Sequence, residues 1–191
     1  MATYDKVKKL LAEQIEPDIV VVLDPQSRTY KQIEGVEDTN IPLLIAMSAF
    51  WKFASKYKGE KYLVPVAQSK EMIQYSKEHK LDVWGCSGTV TSLAMETAIK
   101  FGAQSVYLVG VDLAYPSTGM THAKGTMDCS VKNVENMEQV EGVNNQTVYS
   151  NNVFDTYRKN IEKKISNTPQ IQYYNMSRIG SRIAGTIEIT D

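Results

Sequence analysis

The chain has few cysteines and histidines and no excess of either charge. Two cysteines and two histidines occur among its 191 residues, and the formal net charge is −1. Cys86 and Cys129 lie in different motifs, without the spacing of metal ligands. We therefore expect two reduced thiols and no metal site. The near-zero net charge gives no basis for a bulk electrostatic attraction to nucleic acid or to an acidic membrane.

Long apolar segments are also missing. The longest apolar run, residues 19–23, is far shorter than the roughly 20 residues that a membrane-spanning helix needs. The first six residues, Met-Ala-Thr-Tyr-Asp-Lys, lack the apolar core of a signal peptide. We therefore expect a cytoplasmic protein with no membrane span and no nucleic-acid partner.

What is present is the composition of an ordinary globular domain, with 42% hydrophobic and 23% charged residues. Helical and strand patterns alternate along the chain. The predicted helices are residues 3–15, 48–57, 69–79, 89–101 and a last helix capped by Ser150; the predicted strands are residues 19–23, 43–47, 61–66, 82–84, 105–109, 170–174 and 187–189. This alternation predicts one Rossmann-like, doubly wound α/β domain over residues 1–191, with a mainly parallel sheet and helices on both faces.

Residues 82–109 form the clearest unit. A short strand ends in a glycine turn, and a helix follows whose apolar positions share one face; they are Val90, Leu93, Ala94, Ala98 and Phe101. Gly102 then occupies the usual place of a left-handed C-terminal cap, and a strand follows. The order matches a βαβ crossover. Residues 127–148 are polar by contrast, and we expect them to form a hairpin, lid or flap beside the site.

Three segments fall where parallel sheets bind ligands, beyond the carboxyl ends of strands. The first contains Gly85, Ser87, Gly88 and Thr89. Its glycines allow close backbone approach, and the N–H groups of the following helix form an anion site. The alternative is a tight strand-to-helix turn with Thr89 as the N-cap. Cys86 is disfavoured as a nucleophile because no nearby histidine could activate it.

The second and third segments follow the strand at residues 105–109. Gly110 opens a loop that contains Asp112 and Tyr115, and the Asp112 carboxylate could accept hydrogen bonds from a sugar hydroxyl or hold magnesium. The alternative is an aspartate that caps loop amides. His122 could exchange a proton near neutral pH and Lys124 could neutralise a phosphate; the alternative is a surface loop histidine.

Together these segments resemble a known family. The strings GCSGTVTSLAMETAIKFGAQSVYLVGVDLAY and THAKGT are similar to the core of the domain shared by flagellar motility accessory factors and 6-hydroxymethylpterin pyrophosphokinase-like proteins. LLAEQIEPDIVVVLDP, VYSNNVFDTYRKNIEKKI and YYNMSRIGSRIAGT extend the resemblance over most of residues 7–186.

The resemblance implies a Rossmann-like fold related to bacterial sialyltransferases, and a nucleotide-linked small molecule as ligand. It implies Gly88 as a backbone ligand contact, Asp112 as a ligand-orienting residue and His122 as the acid–base. The leading hypothesis is a transferase that moves a nonulosonic acid from a cytidine-monophosphate sugar to flagellin or another protein. The alternative is ATP-dependent diphosphate transfer to a pterin alcohol, for which magnesium would be the cofactor.

The chain departs from the family pattern at its start. Family members open with a strand and a Gly-Pro-Ser turn, and we expect neither here, because the chain starts with the predicted helix near Tyr4. We therefore expect either a fragment of a longer protein or a short natural version. A missing phosphate-binding turn also leaves a third possibility, a non-catalytic nucleotide-binding or assembly module.

Overall fold

The strands of this protein are short runs of β-branched and aromatic residues placed between helices. A computed structural model describes residues 1–118 and 133–189. The chain divides into two compact units, Met1–Thr97 and Ala98–Asp191. No helix in the described ranges is both long and apolar enough to cross a membrane.

The first unit is built on a four-stranded sheet in which each strand is parallel to its neighbours. In spatial order the strands are β1 (Ala2–Thr3), β2 (Val20–Val22), β3 (Leu43–Ala46) and β4 (Lys61–Val64). Beyond β4, Trp84 forms an isolated parallel bridge with Val66. All of these segments therefore end at the same edge of the sheet.

Helices follow the strands in the first unit. They are α1 (Val7–Ala12), a 3-10 helix (Ser27–Gln32), α2 (Lys52–Lys56), α3 (Lys70–Glu78) and α4 (Val90–Lys100), the last of which runs past the unit boundary at Thr97. The Ser69 hydroxyl accepts a hydrogen bond from the N–H of Met72, so the predicted cap of α3 is confirmed.

Alternate residues of β2 and β3 enter two separate hydrophobic clusters. Val20 and Ile45 pack in one cluster with Phe53 of α2. Val21 and Leu44 pack in the other with Leu93 of α4. Because successive side chains of a strand point to opposite faces, the two clusters show that both faces of the sheet are covered. The predicted α/β class with parallel strands is confirmed.

The second unit contains a smaller sheet and a hairpin. Its elements in chain order are β5 (Ser105–Leu108), β6 (Glu138–Glu141), a 3-10 turn (Val143–Asn145), β7 (Thr147–Ser150), α5 (Asn152–Ser166), β8 (Gln172–Asn175) and β9 (Ile187–Glu188). The strands β5, β8 and β9 are parallel and adjacent in that order, and β6 and β7 pair antiparallel.

Three local predictions were wrong. The chain does not start with a helix at residue 3, because residues 2 and 3 pair with β2 and α1 begins only at Val7. Ser150 does not cap α5; the Asn151 side chain accepts hydrogen bonds from the N–H groups of Val153 and Phe154. Phe101 is 65% exposed, because it lies after the last residue of α4 and not on its buried face.

The polar segment at residues 127–148 lies partly outside the described ranges, since its first six residues fall between 118 and 133. Its remainder forms most of the β6–β7 hairpin. Val143 and Val148 of this hairpin are buried, and Tyr149 of β7 exchanges two backbone hydrogen bonds with Tyr115. The role of the segment as a lid stays a prediction.

Candidate functional site

The candidate site of the first unit lies along the carboxyl edge of its sheet. Ligands of parallel α/β sheets bind at this edge, where loops follow the strand ends. Three polar side chains follow successive strands here: Asp24 after β2, Ser48 after β3 and Gln68 after β4. The turn at residues 85–89, which we call the glycine turn, follows the bridging residue Trp84.

Thr89 ends the glycine turn and caps α4. Its hydroxyl accepts a hydrogen bond from the N–H of Ser92 at 3.0 Å, and its carbonyl accepts the first helical hydrogen bond, from Leu93. The N-cap role that the sequence left open for Thr89 is therefore present. Within the described residues, the N–H groups of Val90 and Thr91 make no hydrogen bond, so the helix start keeps two donors that an anion could use.

The two glycines of the turn have different surroundings. Gly88 has a φ of +82° and open space around its Cα, so it supplies a left-handed conformation next to solvent. A Cβ at Gly85 would lie 3.2 Å from a carboxylate oxygen of Glu96. Gly85 therefore allows close packing of the turn against α4. The N–H of Ser87 donates to the Ser92 hydroxyl at 3.1 Å, which fixes the turn to the first turn of the helix.

A string of polar contacts joins the glycine turn to the ends of β3 and β4. The Ser48 hydroxyl donates to the side-chain amide oxygen of Gln68 at 2.7 Å. The Gln68 amide in turn lies 3.9 Å from the sulfur of Cys86. Sequence reasoning missed Ser48 and Gln68. Their position directly after predicted strands was the available signal, and only the strand order shows that they are neighbours.

Sequence reasoning also missed Asp24, although this residue follows β2 in the same way that Asp112 follows β5. One carboxylate oxygen accepts a hydrogen bond from the N–H of Gln26 at 2.8 Å, and the other lies 3.5 Å from the Tyr4 hydroxyl. The Asp24 carbonyl accepts from the N–H of Phe50 at 3.0 Å. This last bond holds the loop after β3 against the end of β2.

The predicted residue Asp112 lies in the second unit, in the loop after β5. Gly110 and Leu113 both have positive φ, +68° and +49°, so the loop turns sharply on either side of Asp112. The Asp112 carbonyl accepts hydrogen bonds from the N–H and the hydroxyl of Ser181, at 2.8 and 3.2 Å. The residue itself is exposed. Its backbone is therefore fixed while its side chain lies at the surface.

Tyr115, the predicted ligand contact, lies in the interior of the second unit. It is 7% exposed, and its ring stacks on Phe154 with 4.9 Å between centroids. Its hydroxyl accepts a hydrogen bond from the Asn151 amide at 3.2 Å. These contacts make Tyr115 a packing residue; its role in ligand binding stays a prediction.

Two buried polar residues lie at the carboxyl end of β8, the strand next to β5. Asn175 is fully buried and Ser177 is 3% exposed. The Asn175 side-chain oxygen accepts the N–H of Ser177 at 3.0 Å. Within the described residues, the Asn175 amide nitrogen and the Ser177 hydroxyl have no hydrogen-bond partner. The sequence did not mark this pair, although it directly follows a predicted strand.

The remaining predicted residues, His122 and Lys124, lie outside the described ranges. The convergence of His122 with Asp112 in one cleft therefore stays a prediction. Gly85, Ser87, Gly88 and Thr89 belong to the first unit, while Gly110, Asp112 and Tyr115 belong to the second.

In the part of the chain that the structure describes, the side chains do not form a cage for a metal ion. Magnesium in nucleotide sites is held by one or two carboxylates together with phosphate oxygens. Among the described residues, no three His, Cys, Asp or Glu side chains lie together as metal ligands could. Asp24 accepts a backbone hydrogen bond on one carboxylate oxygen. Magnesium bound by the described residues would therefore take most of its ligands from the phosphates of a bound nucleotide and from water.

A parallel sheet with a glycine turn leading into a helix at its carboxyl edge defines a Rossmann-like α/β domain. The chain belongs to the 6-hydroxymethylpterin diphosphokinase MptE-like family, whose model matches residues 1–118. Its fold is similar to that of the MAf glycosyltransferase from Magnetospirillum magneticum AMB-1, with a TM-score of 0.70 and 20% sequence identity. That likeness covers 97% of this chain but only 28% of the other protein. No curated protein matches the chain.

Proposed function

We propose that this chain is a transferase domain that binds a nucleotide-activated donor, with a donor phosphate at the glycine turn. The observation that carries the proposal is the start of α4. There Gly88 leaves the backbone open, and the N–H groups of Val90 and Thr91 have no hydrogen-bond partner among the described residues. A helix N-terminus of this kind favours a phosphate through its donors and its dipole.

The donor that we favour is a nucleotide-linked sugar of the nonulosonic acid type. The likeness of 97% of the chain to part of a MAf glycosyltransferase supports a sugar donor. In this reaction a glycosidic bond to phosphate breaks, and the leaving phosphate gains negative charge. His122 would donate a proton to that phosphate, and Asp112 would orient a hydroxyl. The acceptor would be flagellin or another protein.

The second candidate is diphosphate transfer from ATP to a pterin alcohol. The description of the family, 6-hydroxymethylpterin diphosphokinase MptE-like, favours it. Magnesium, when bound, would neutralise charge on the transferred phosphates. In this chain the α4 start would bind the phosphates. A third candidate, nucleotide binding without turnover, is distinguished by the assays below.

A ligand panel tests the proposal. We expect CMP or CDP to raise the unfolding temperature without magnesium, and ATP to require magnesium if the second candidate holds. A ligand at 100 times its Kd stabilises a protein by about 2.7 kcal/mol, which thermal unfolding resolves. No shift with CMP, CDP, ATP or GTP, with or without magnesium, would overturn nucleotide binding.

A matched pair of glycine variants locates the site. Gly88 and Gly102 have φ values of +82° and +78°, and a Cβ at either would meet open space. Gly88→Ala and Gly102→Ala should therefore cost similar stability through backbone strain, about 1–2 kcal/mol. Only Gly88→Ala should weaken nucleotide binding measured by calorimetry. Equal binding by both variants would place the phosphate elsewhere.

Turnover and binding measurements test the proposed roles of His122 and Asp112. General acid catalysis contributes about 10²- to 10⁴-fold in rate, so His122→Ala should lose roughly that factor while still binding nucleotide. His122→Asn keeps some hydrogen bonding but removes the titrating proton, and should lose a similar factor. Asp112→Asn should instead weaken ligand binding. Wild-type turnover in His122→Ala would exclude the acid role; circular dichroism of each variant controls for folding.

A further inference from the structure

Trp51 is a large exposed aromatic residue at the carboxyl edge of the first unit's sheet. It is 60% exposed and is one of the two tryptophans in the chain. It is the last residue of the loop between β3 and α2, directly before the first residue of the helix. This loop follows the end of a parallel strand, which is where such sheets bind ligands.

The backbone around Trp51 is anchored on both sides. On one side, the N–H of Phe50 donates to the Asp24 carbonyl at 3.0 Å, and on the other the Trp51 carbonyl accepts from Ser55 at 3.1 Å. The Phe50 and Trp51 rings are tilted against each other with 5.7 Å between centroids. The tryptophan is therefore presented from a fixed backbone while most of its surface faces solvent.

Trp51 and the glycine turn belong to loops that follow segments two strand spacings apart at the same sheet edge. Two strand spacings separate β3 from the segment at Trp84, because β4 lies between them. Neighbouring strands are about 4.8 Å apart, so the two loops start roughly 10 Å from each other. The hydrogen-bonded polar side chains of Ser48 and Gln68 follow β3 and β4 at the same edge. The carboxyl edge thus carries an aromatic ring, a pair of polar side chains and a helix start.

We propose that Trp51 stacks on the base of the nucleotide whose phosphate occupies the glycine turn, with Ser48 and Gln68 beside the ribose. The inference rests on the proposed nucleotide binding and adds the residue that binds the base. An indole ring stacks on the flat face of any base, whether pyrimidine or purine. Trp51 would therefore set affinity for the base, while the helix start would bind the phosphate.

Calorimetry with probes that contain and lack a base tests the proposal. The probes are CMP, ATP and ribose 5-phosphate, and the variants are Trp51→Ala and Trp51→Phe. We expect Trp51→Ala to weaken binding of CMP or ATP by about 10- to 100-fold and to leave ribose 5-phosphate binding unchanged. Trp51→Phe should keep most of the affinity, because phenylalanine still stacks.

A matched control is Tyr62→Ala, which removes another exposed aromatic ring (46% exposed) from the same sheet; it should leave all three affinities unchanged. Unchanged CMP and ATP affinity in Trp51→Ala would overturn the stacking role but leave nucleotide binding intact. Equal weakening of ribose 5-phosphate would also overturn it. Wild-type protein that binds neither nucleotide would overturn the proposed function itself, together with this inference.

Discussion

Two phenylalanines show how differently the fold uses the same side chain. Phe53 is fully buried, and its ring makes edge contacts with Tyr4 and Tyr30 at centroid distances of 5.8 and 5.5 Å. Phe101 is 65% exposed.

Burial and the Glu37 carboxylate raise the pKa of Tyr30 to about 12. The Tyr30 hydroxyl therefore stays protonated and donates to Glu37 at 2.7 Å.

We predict that Phe53→Ala lowers the free energy of unfolding by about 3–5 kcal/mol, because it removes a buried ring and leaves a cavity. The same substitution at Phe101 should change stability by less than about 0.5 kcal/mol, since the ring is already solvated. Urea denaturation of both variants measures the difference. Similar losses at the two positions would contradict the burial described for Phe101.

At the scale of elements, a single capping side chain begins each of the helices α3, α4 and α5. Ser69 begins α3 and Thr89 begins α4, each by accepting an N–H from the first turn. Asn151 begins α5 by accepting two such bonds, from Val153 and Phe154, at 3.0 and 2.9 Å. Its amide nitrogen also donates to the Tyr115 hydroxyl, so this one residue joins the helix start to the packed tyrosine.

We predict that Asn151→Ala destabilises the protein by about 1 kcal/mol, the usual cost of losing an N-cap. Asn151→Asp keeps the capping oxygen and places a negative charge at the positive end of the helix dipole, so it should retain most of the stability. Thermal unfolding at neutral pH compares the two. If Asn151→Asp were as unstable as Asn151→Ala, the bond to Tyr115 and not the cap would be the main contribution.

At the scale of the whole molecule, Arg182 connects segments that are far apart in the chain. Its guanidinium donates to Glu188 at 2.7 Å, to Asn145 at 3.0 Å and also to Glu141. The N–H of Asn144 donates to the second oxygen of Glu188 at 3.1 Å. This cluster ties the β6–β7 hairpin to β9. The hydrogen bond from Arg182 holds the pKa of Glu188 below its ordinary value of 4.5.

This pKa predicts a pH dependence of stability. A carboxylate whose pKa is lower in the folded state stabilises the fold above its unfolded pKa, here 4.5, and that contribution is lost as pH falls through the folded pKa. Glu188→Gln should therefore have a lower urea midpoint than wild type at pH 7. At pH 3 the difference between the two midpoints should be smaller. Glu138→Gln, an exposed position of the same hairpin, should leave both values near wild type.

A difference that does not change with pH would contradict this prediction. A constant difference between Glu188→Gln and wild type across this range would mean that the ion pair with Arg182 adds no pH-dependent stability. The contacts of Glu188 with Arg182 and Asn144 would then act as ordinary hydrogen bonds.

The sequence by itself determined most of the segments that become strands and helices. Residues 19–23 are apolar and mostly β-branched, and the strand predicted there is present as Val20–Val22. Ser69 and Thr89 precede helical patterns and bond locally: the predicted cap at Ser69 is confirmed, and Thr89 has the N-cap role that the sequence left open. These features depend on contacts within a few residues, which is why the order of residues is enough to specify them.

Only the tertiary structure decided which strand ends meet and where the patterns stop. Residues 2 and 3 pair with β2 although their pattern favours a helix, because a ladder to a distant strand outweighs weak local propensity. Asp24, Ser48 and Gln68 share an edge with the glycine turn, and Asn175 is buried as the last residue of β8. Such proximity depends on strand order, which links residues far apart in the chain and leaves no local signal.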